Sequence, residues 1–133
     1  MSDAVSCTAY FEKAERALSG ARLLLTAKDS EGASNRAYYA MFDAAHAALL
    51  AAHIDVPEST TKTHTGLIRA FGRYLVQGGH VDAEFGRALN KVQRLRQIAD
   101  YLGDPVSLED AAWAVDQAGA FVAAMRSKFM TNP

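Results

Sequence analysis

Residues 85–105 read FGRALNKVQRLRQIADYLGDP. Phe85, Leu89, Val92, Leu95, Ala99 and Leu102 recur at steps of three and four, the spacing of one apolar stripe along an α-helix. Gly103 and Pro105 stop it, the first by accepting a left-handed turn and the second by lacking a backbone donor. Arg87, Lys91 and Arg94 form a basic stripe on the side away from the core, as a solvated face would. Arg96 is placed differently, one turn beyond Val92 and near the edge of the buried stripe. Asp100 follows four residues later, close enough to pair along the helix for about 0.3–0.5 kcal/mol if exposed. A cation that near the core, flanked by Asp100 and Tyr101, is either a tie between helices or a group that faces an anion.

The same period extends in both directions. Tyr10, Ala14, Ala17, Leu18, Ala21, Leu24 and Leu25 predict a first helix, interrupted by KDSEG, where Asp29 or Ser30 can cap a second. That second helix buries Tyr38, Phe42, Ala45 and Leu49 and runs to about His53. A third begins near TKTHTG with a threonine cap, carries Leu67, Ile68, Phe71 and Leu75, and ends at Gly78-Gly79. SLED opens the last, with Ser107 as cap and Asp110 at the capping-box position. Its stripe is Leu108, Ala112, Val115, Ala118, Val122, Met125 and Phe129. Nothing alternates with period two. The expectation is an all-α fold, an antiparallel bundle of four to five helices forming a single domain over residues 1–133. Trp113, with Ala120, Phe121 and Ala124, makes a second apolar face on the last helix. It suits either an inner helix covered on two sides or a homodimer seam.

Composition narrows the partners. The net charge is −1 and 22% of residues are charged, so no general attraction to nucleic acid or anionic membrane is expected. The charge is uneven, however. Residues 60–100 hold Lys62, Arg69, Arg73, Arg87, Lys91, Arg94 and Arg96 against Asp82, Glu84 and Asp100, so a polyanion would meet the middle of the chain. Cys7 is the only cysteine, which excludes an intrachain disulfide and suits a reducing compartment. The N-terminus has no basic segment leading into an apolar one, and the Ala/Leu run near residue 50 is interrupted by His46 and His53. A cytoplasmic protein without a membrane span is expected.

Most catalytic signatures are missing: there is no Gly-rich phosphate loop, GxSxG or HExxH, and no cofactor is expected. Asp43 and His46 share a helix face at i, i+3, but one pair gives two ligands where a bundle metal site needs at least twice that, so no metal is expected either. Arg36, Tyr39, Asp43 and His46 fall within a wedge of ~80° beside the second helix's apolar stripe, with Asn35 on the other shoulder. They are a polar cleft edge or, more simply, a solvated Arg36 and Asp43 beside tyrosines with wet hydroxyls. His64 lies on the apolar stripe of the third helix, where a capped or half-buried histidine is common. Arg73 and His80 have the spacing Arg-x6-His, but Gly78-Gly79 separates them.

Three blocks, NRAYYAMFDAAHAALL (35–50), KTHTGLIRAF (62–71) and RQIADY (96–101), together resemble the HEPN domain family (higher eukaryotes and prokaryotes nucleotide-binding), in particular its small stand-alone prokaryotic members. The likeness spans about residues 8–128. It implies a helical bundle paired into a homodimer with a cleft between protomers. Many members are metal-independent ribonucleases, often toxins of toxin–antitoxin pairs beside a small nucleotidyltransferase. Their working motif is an arginine followed, after four to six intervening residues, by histidine, supported by a polar residue from an earlier helix. The arginine steadies phosphate while the histidine assists the 2′-hydroxyl or the leaving group.

Arg96 matches that arginine and Asn35 the supporting position. No histidine follows Arg96; Asp100 and Tyr101 stand there instead. A carboxylate beside phosphate repels it, and a tyrosine with a pKa near 10 is a poor base. The resemblance therefore implies an RNA- or nucleotide-linked binding module of a toxin–antitoxin or defence pair, catalytically weak or inactive. Arg96 would contact phosphate, Asp100 and Tyr101 would orient it, Asn35 would hold the cleft, and Arg36, Tyr39 and Asp43 would edge it. The alternatives are an active endoribonuclease with His64 or His46 as base, and a dimeric scaffold whose polar cluster fixes helix register.

Overall fold

Alanine sets how closely these helices approach, and the longest alanine-rich segment becomes the central one. The computed structural model describes residues 3–54, 56–103 and 105–130. The elements are α1 (Asp3–Thr26), α2 (Ser30–Ala51), α3 (Glu58–Thr61), α4 (His64–Ala70) with a π-helical continuation (Phe71–Val76), α5 (Ala83–Leu102) and α6 (Leu108–Phe129). Among the described residues there is no strand, and the fold is an all-α bundle.

The helix ends follow from the polar residues that stand there. Asp29 Oδ1 accepts from the Gly32 amide at 2.9 Å, Thr63 Oγ1 from the Gly66 amide at 2.9 Å, and Ser107 Oγ from the Asp110 amide at 3.0 Å. Each supplies one acceptor for a first-turn N–H that lacks an intrahelical partner. Gly103 closes α5 at φ 70°, in the left-handed region that favours glycine. Gly66 is fixed by contact instead, since a Cβ there would run into the carbonyl of Thr60. That contact seats the one-turn α3, which helical periodicity could not reveal, against the start of α4.

α2 packs most extensively on α1 and then on α6. Its buried alanines, among them Ala33, Ala37, Ala40, Ala44 and Ala47, meet a surface that includes Ala14, Ala17 and Ala21 of α1 and Ala111, Ala114 and Ala118 of α6. Larger side chains fill what remains: Phe11, Tyr38, Met41, Phe71 and Phe121 are all inaccessible to within 1%. Phe71 and Phe121 join the π-helical segment to α6 with ring centroids 5.4 Å apart, within the favourable range for aromatic pairs.

The stripes read from sequence are present with shifts of one position. Phe11 is the buried aromatic of α1 and Tyr10 only half-buried, while Leu102 and Leu108 are 69% and 43% exposed. On α6, Phe121 belongs to the core, whereas Trp113 remains 38% exposed. Among the described residues no helix is long and apolar enough to cross a membrane.

Candidate functional site

Arg96 projects from α5 toward α2, with its side chain only 21% exposed. Its Nε donates to Oδ1 of Asn35 at 3.2 Å and lies 3.7 Å from Oδ2 of Asp100. The guanidinium also covers two rings, with Cζ 5.0 Å from the centroid of Tyr38 and 5.6 Å from that of Tyr39. Both distances lie within cation–π range. The inner edge of the group is therefore fixed by an amide, a carboxylate and two aromatic faces. Among the described residues, neither terminal nitrogen of Arg96 makes a hydrogen bond or ion pair. A planar fork held at one edge, with donors remaining at the other, suits an oxyanion.

The N-terminal residue of α4 completes the cluster. His64 Nδ1 is 2.7 Å from the Tyr38 hydroxyl. Its ring stacks on Tyr38 at 5.4 Å and packs against Phe42 at 4.8 Å and Tyr39 at 5.7 Å. Burial and then the neighbouring Arg96 charge lower the pKa of His64 below its usual 6.5, so at neutral pH the imidazole is uncharged. Tyr38 is shifted the other way. Burial raises its pKa far above the ordinary phenol value, partly offset by Arg96. The contact thus joins a protonated phenol to a neutral imidazole. If the phenol donates to Nδ1, the other ring nitrogen carries the proton; if Nδ1–H donates to the phenol oxygen, Nε2 is a lone-pair base.

The remaining candidates divide. Tyr39 packs on Tyr38 and His64 and lies under Arg96. It also lines a cavity of about 310 Å³ with Lys13, Arg16, Arg36, Phe42 and Asp43. Arg36 is exposed, as a solvated residue would be, but Asp43 is only 8% exposed. The simple reading of Asp43 as solvated is corrected, because α1 covers that shoulder of α2. Burial raises its pKa, against the opposing pull of Lys13, Arg36 and Arg16. His46 stacks on Tyr10 of α1, centroids 4.1 Å apart. Burial and then Lys13 lower its pKa.

Tyr101 does not join Arg96. It is 83% exposed, and the five-residue step from Arg96 turns it ~140° around the helix. The aromatic partners of Arg96 come from α2, and Tyr38 is the residue that sequence reasoning missed, having read it only as core. The signal was its place three residues after Asn35, on the face turned toward α5. Among the described residues no group of three or more His, Cys, Asp and Glu is placed to hold a metal.

The family model for the HEPN domain matches residues 8–128. The chain belongs to the HEPN family. Among curated relatives it is 38% identical over 114 residues to the protein named "Putative toxin MJ0605" of Methanocaldococcus jannaschii, covering 86% of this chain and 81% of that one. It is 34% identical over 113 residues to "UPF0332 protein glr0978" of Gloeobacter violaceus, covering 84% and 86%. A "UPF0332 protein" of Thermotoga maritima is 35% identical over 98 residues, covering 74% and 70%.

Proposed function

We propose that this HEPN chain is a phosphate-binding module for RNA or a nucleotide, with Arg96 as the receiving group. The observation that carries the reading is the half-used guanidinium. Asn35, Asp100, Tyr38 and Tyr39 hold one side of it, and the terminal nitrogens remain for an oxyanion. Pre-ordering a long cationic side chain lowers the entropy lost on binding. Asp100 limits the net charge of the site, so it acts as a positioning residue that weakens phosphate affinity while fixing the fork. The Methanocaldococcus jannaschii relative named as a toxin supports a toxin-like role, and the family resemblance supplies a nucleotidyltransferase antitoxin as partner. A homodimer belongs to the same proposal, and the half-exposed Trp113 offers an apolar surface for it.

A second reading is favoured by His64. A neutral imidazole bonded to a buried phenol and facing a guanidinium has the components of a metal-independent ribonuclease. With Nε2 unprotonated, it would take the proton of a ribose 2′-hydroxyl. The 2′-oxygen would then attack phosphorus, and the departing 5′-oxygen would be protonated from water, leaving a 2′,3′-cyclic phosphate. In that reading His64 replaces the histidine missing after Arg96. His46, stacked on α1, serves neither reading.

Labelled tRNA and mixed RNA incubated in excess chelator distinguish the possibilities. Binding by the wild type, lost in Arg96→Ala and without cleavage, is the expected result. Cleavage abolished by both Arg96→Ala and His64→Ala would establish the nuclease instead. RNA neither bound nor cut would leave Arg96 as a tie between α5 and α2.

A further inference from the structure

A groove of about 630 Å³ runs between α4 with its π-helical continuation and α5, within the ~300–1,000 Å³ typical of ligand sites. Arg69 and Arg73 line one wall and Arg94 the other, with Gln77, Gln93 and Gln97 between them. Among the described residues no aspartate or glutamate lines it. Three guanidinium groups around one concavity, without a carboxylate, attract polyanions and repel one another until one arrives. The floor holds a second and independent feature. Gln93 is only 9% exposed, and its Oε1 has no hydrogen-bond partner. Buried polar atoms are nearly always satisfied, and this one is closed off from solvent, so a donor in the groove reaches it once the Gln93 side chain rotates outward.

Position connects this groove to Arg96. The elements that carry His64 and Arg96 are its walls, and their chain neighbours Thr65 and Gln97 line it. The π-helical winding, recorded by the Gln77 amide bonding to the Gly72 carbonyl at 2.9 Å, sets the residues of the α4 wall. Gly72 lies on the lining, and a Cβ there would meet nothing within 4 Å. Space rather than packing surrounds it.

We propose that this groove carries a single RNA strand onward from the Arg96 site. Arg69, Arg73 and Arg94 track successive phosphates, and the Gln93 amide, rotated into the groove, accepts a hydrogen bond from an N–H on a base edge. The phosphate contacts set position and the amide supplies preference among bases. This inference rests on the reading of Arg96 as a phosphate site and extends it from one phosphate to a strand.

The test is fluorescence anisotropy with labelled oligoribonucleotides of two to twelve residues, over a range of salt concentrations. Wild-type affinity should rise with length until the groove is filled. The triple variant Arg69→Gln, Arg73→Gln, Arg94→Gln should lose that rise, and its salt slope should fall by about 2, at ~0.7 per phosphate contact on a single strand. Gly72→Leu keeps every charge but fills the groove, and should weaken the longer oligomers at least tenfold while leaving dinucleotide binding unchanged. Gln93→Met should flatten the differences among homopolymers. Wild-type-like length dependence in both the triple variant and Gly72→Leu would overturn the groove and leave the Arg96 reading standing. Loss in those variants with unchanged binding by Arg96→Ala would support the groove and overturn that reading. No RNA binding by the wild type would overturn both.

Discussion

α2 is packed on two different principles along its two flanks. Toward α1 and α6 it presents mainly small buried side chains, apart from the cavity that Lys13, Arg16 and Asp43 line. Even the ionisable Asp43 and His46 on that side are largely covered. Toward α4 and α5 it presents Asn35, Tyr38, Tyr39 and Phe42, and the helices opposite answer with His64 and Arg96. Beyond these contacts the α4 and α5 walls stand apart and enclose a groove. The first flank resembles any helical core, where close approach of alanines maximises dispersion contact. The second retains polar groups at a cost in burial. Polar and aromatic groups arranged around an arginine with remaining donors are what a ligand site requires and what a core does not.

Substitutions on each flank should therefore separate stability from binding. Phe11→Ala on the covered flank should have the largest effect, about 3–5 kcal/mol in denaturant unfolding, because a fully buried aromatic leaves a cavity. RNA affinity measured where the variant is still folded should be unchanged. Tyr38→Phe should cost less, about 0.5–1.5 kcal/mol, since it removes one hydroxyl bond to His64 and keeps the ring beneath Arg96. RNA affinity within twofold of wild type would confirm that the ring, not the hydroxyl, seats the guanidinium.

Asp43→Asn should act in the opposite direction. Burial raises the folded-state pKa of Asp43 above its ordinary value, so the folded protein holds that proton more tightly than the unfolded chain. The stability from this group is present in acid and declines as pH rises through the folded pKa. Asp43→Asn should therefore raise Tm at pH 7 and make no difference near pH 3. A lower Tm at pH 7 would mean that Lys13, Arg16 and Arg36 outweigh burial.

The smallest effect is read by NMR titration of the two half-buried histidines. Both should titrate below 6.5. Arg96→Ala should raise His64 alone, and Lys13→Ala should raise His46 alone. For each, the depressed pKa supplies stability that is present above 6.5 and lost as pH falls toward the folded value.

The helices and their caps were legible because they are local. Steps of three and four, Thr63 and Ser107 before apolar runs, and Gly103 before a proline are written within a few residues of chain. Arg96 and Asn35 were found by their resemblance to a family motif, and the structure brings them into contact. The aromatic seat of Arg96 was assigned to the wrong residue. Tyr101 is near in sequence, but helical rotation carries it into solvent, while Tyr38 lies on another element. Of the two readings of Asp43, the solvated one fails because α1 covers it. The groove was invisible for the same reason. Arg94 read as part of a solvated face, while Arg69 and Arg73 entered only the basic excess of residues 60–100, and only the tertiary arrangement sets them around one groove.

The most direct test of Arg96 as the phosphate-receiving group is the salt dependence of RNA binding by wild type and Arg96→Ala, with circular dichroism confirming the fold of both. The expected result is at least tenfold weaker binding in the variant, with a salt slope reduced by about 0.7, the value for one phosphate contact on a single strand. Equal affinity and equal slope in the two proteins would contradict it, and would make the contacts among Arg96, Asn35 and Tyr38 a matter of helix register alone.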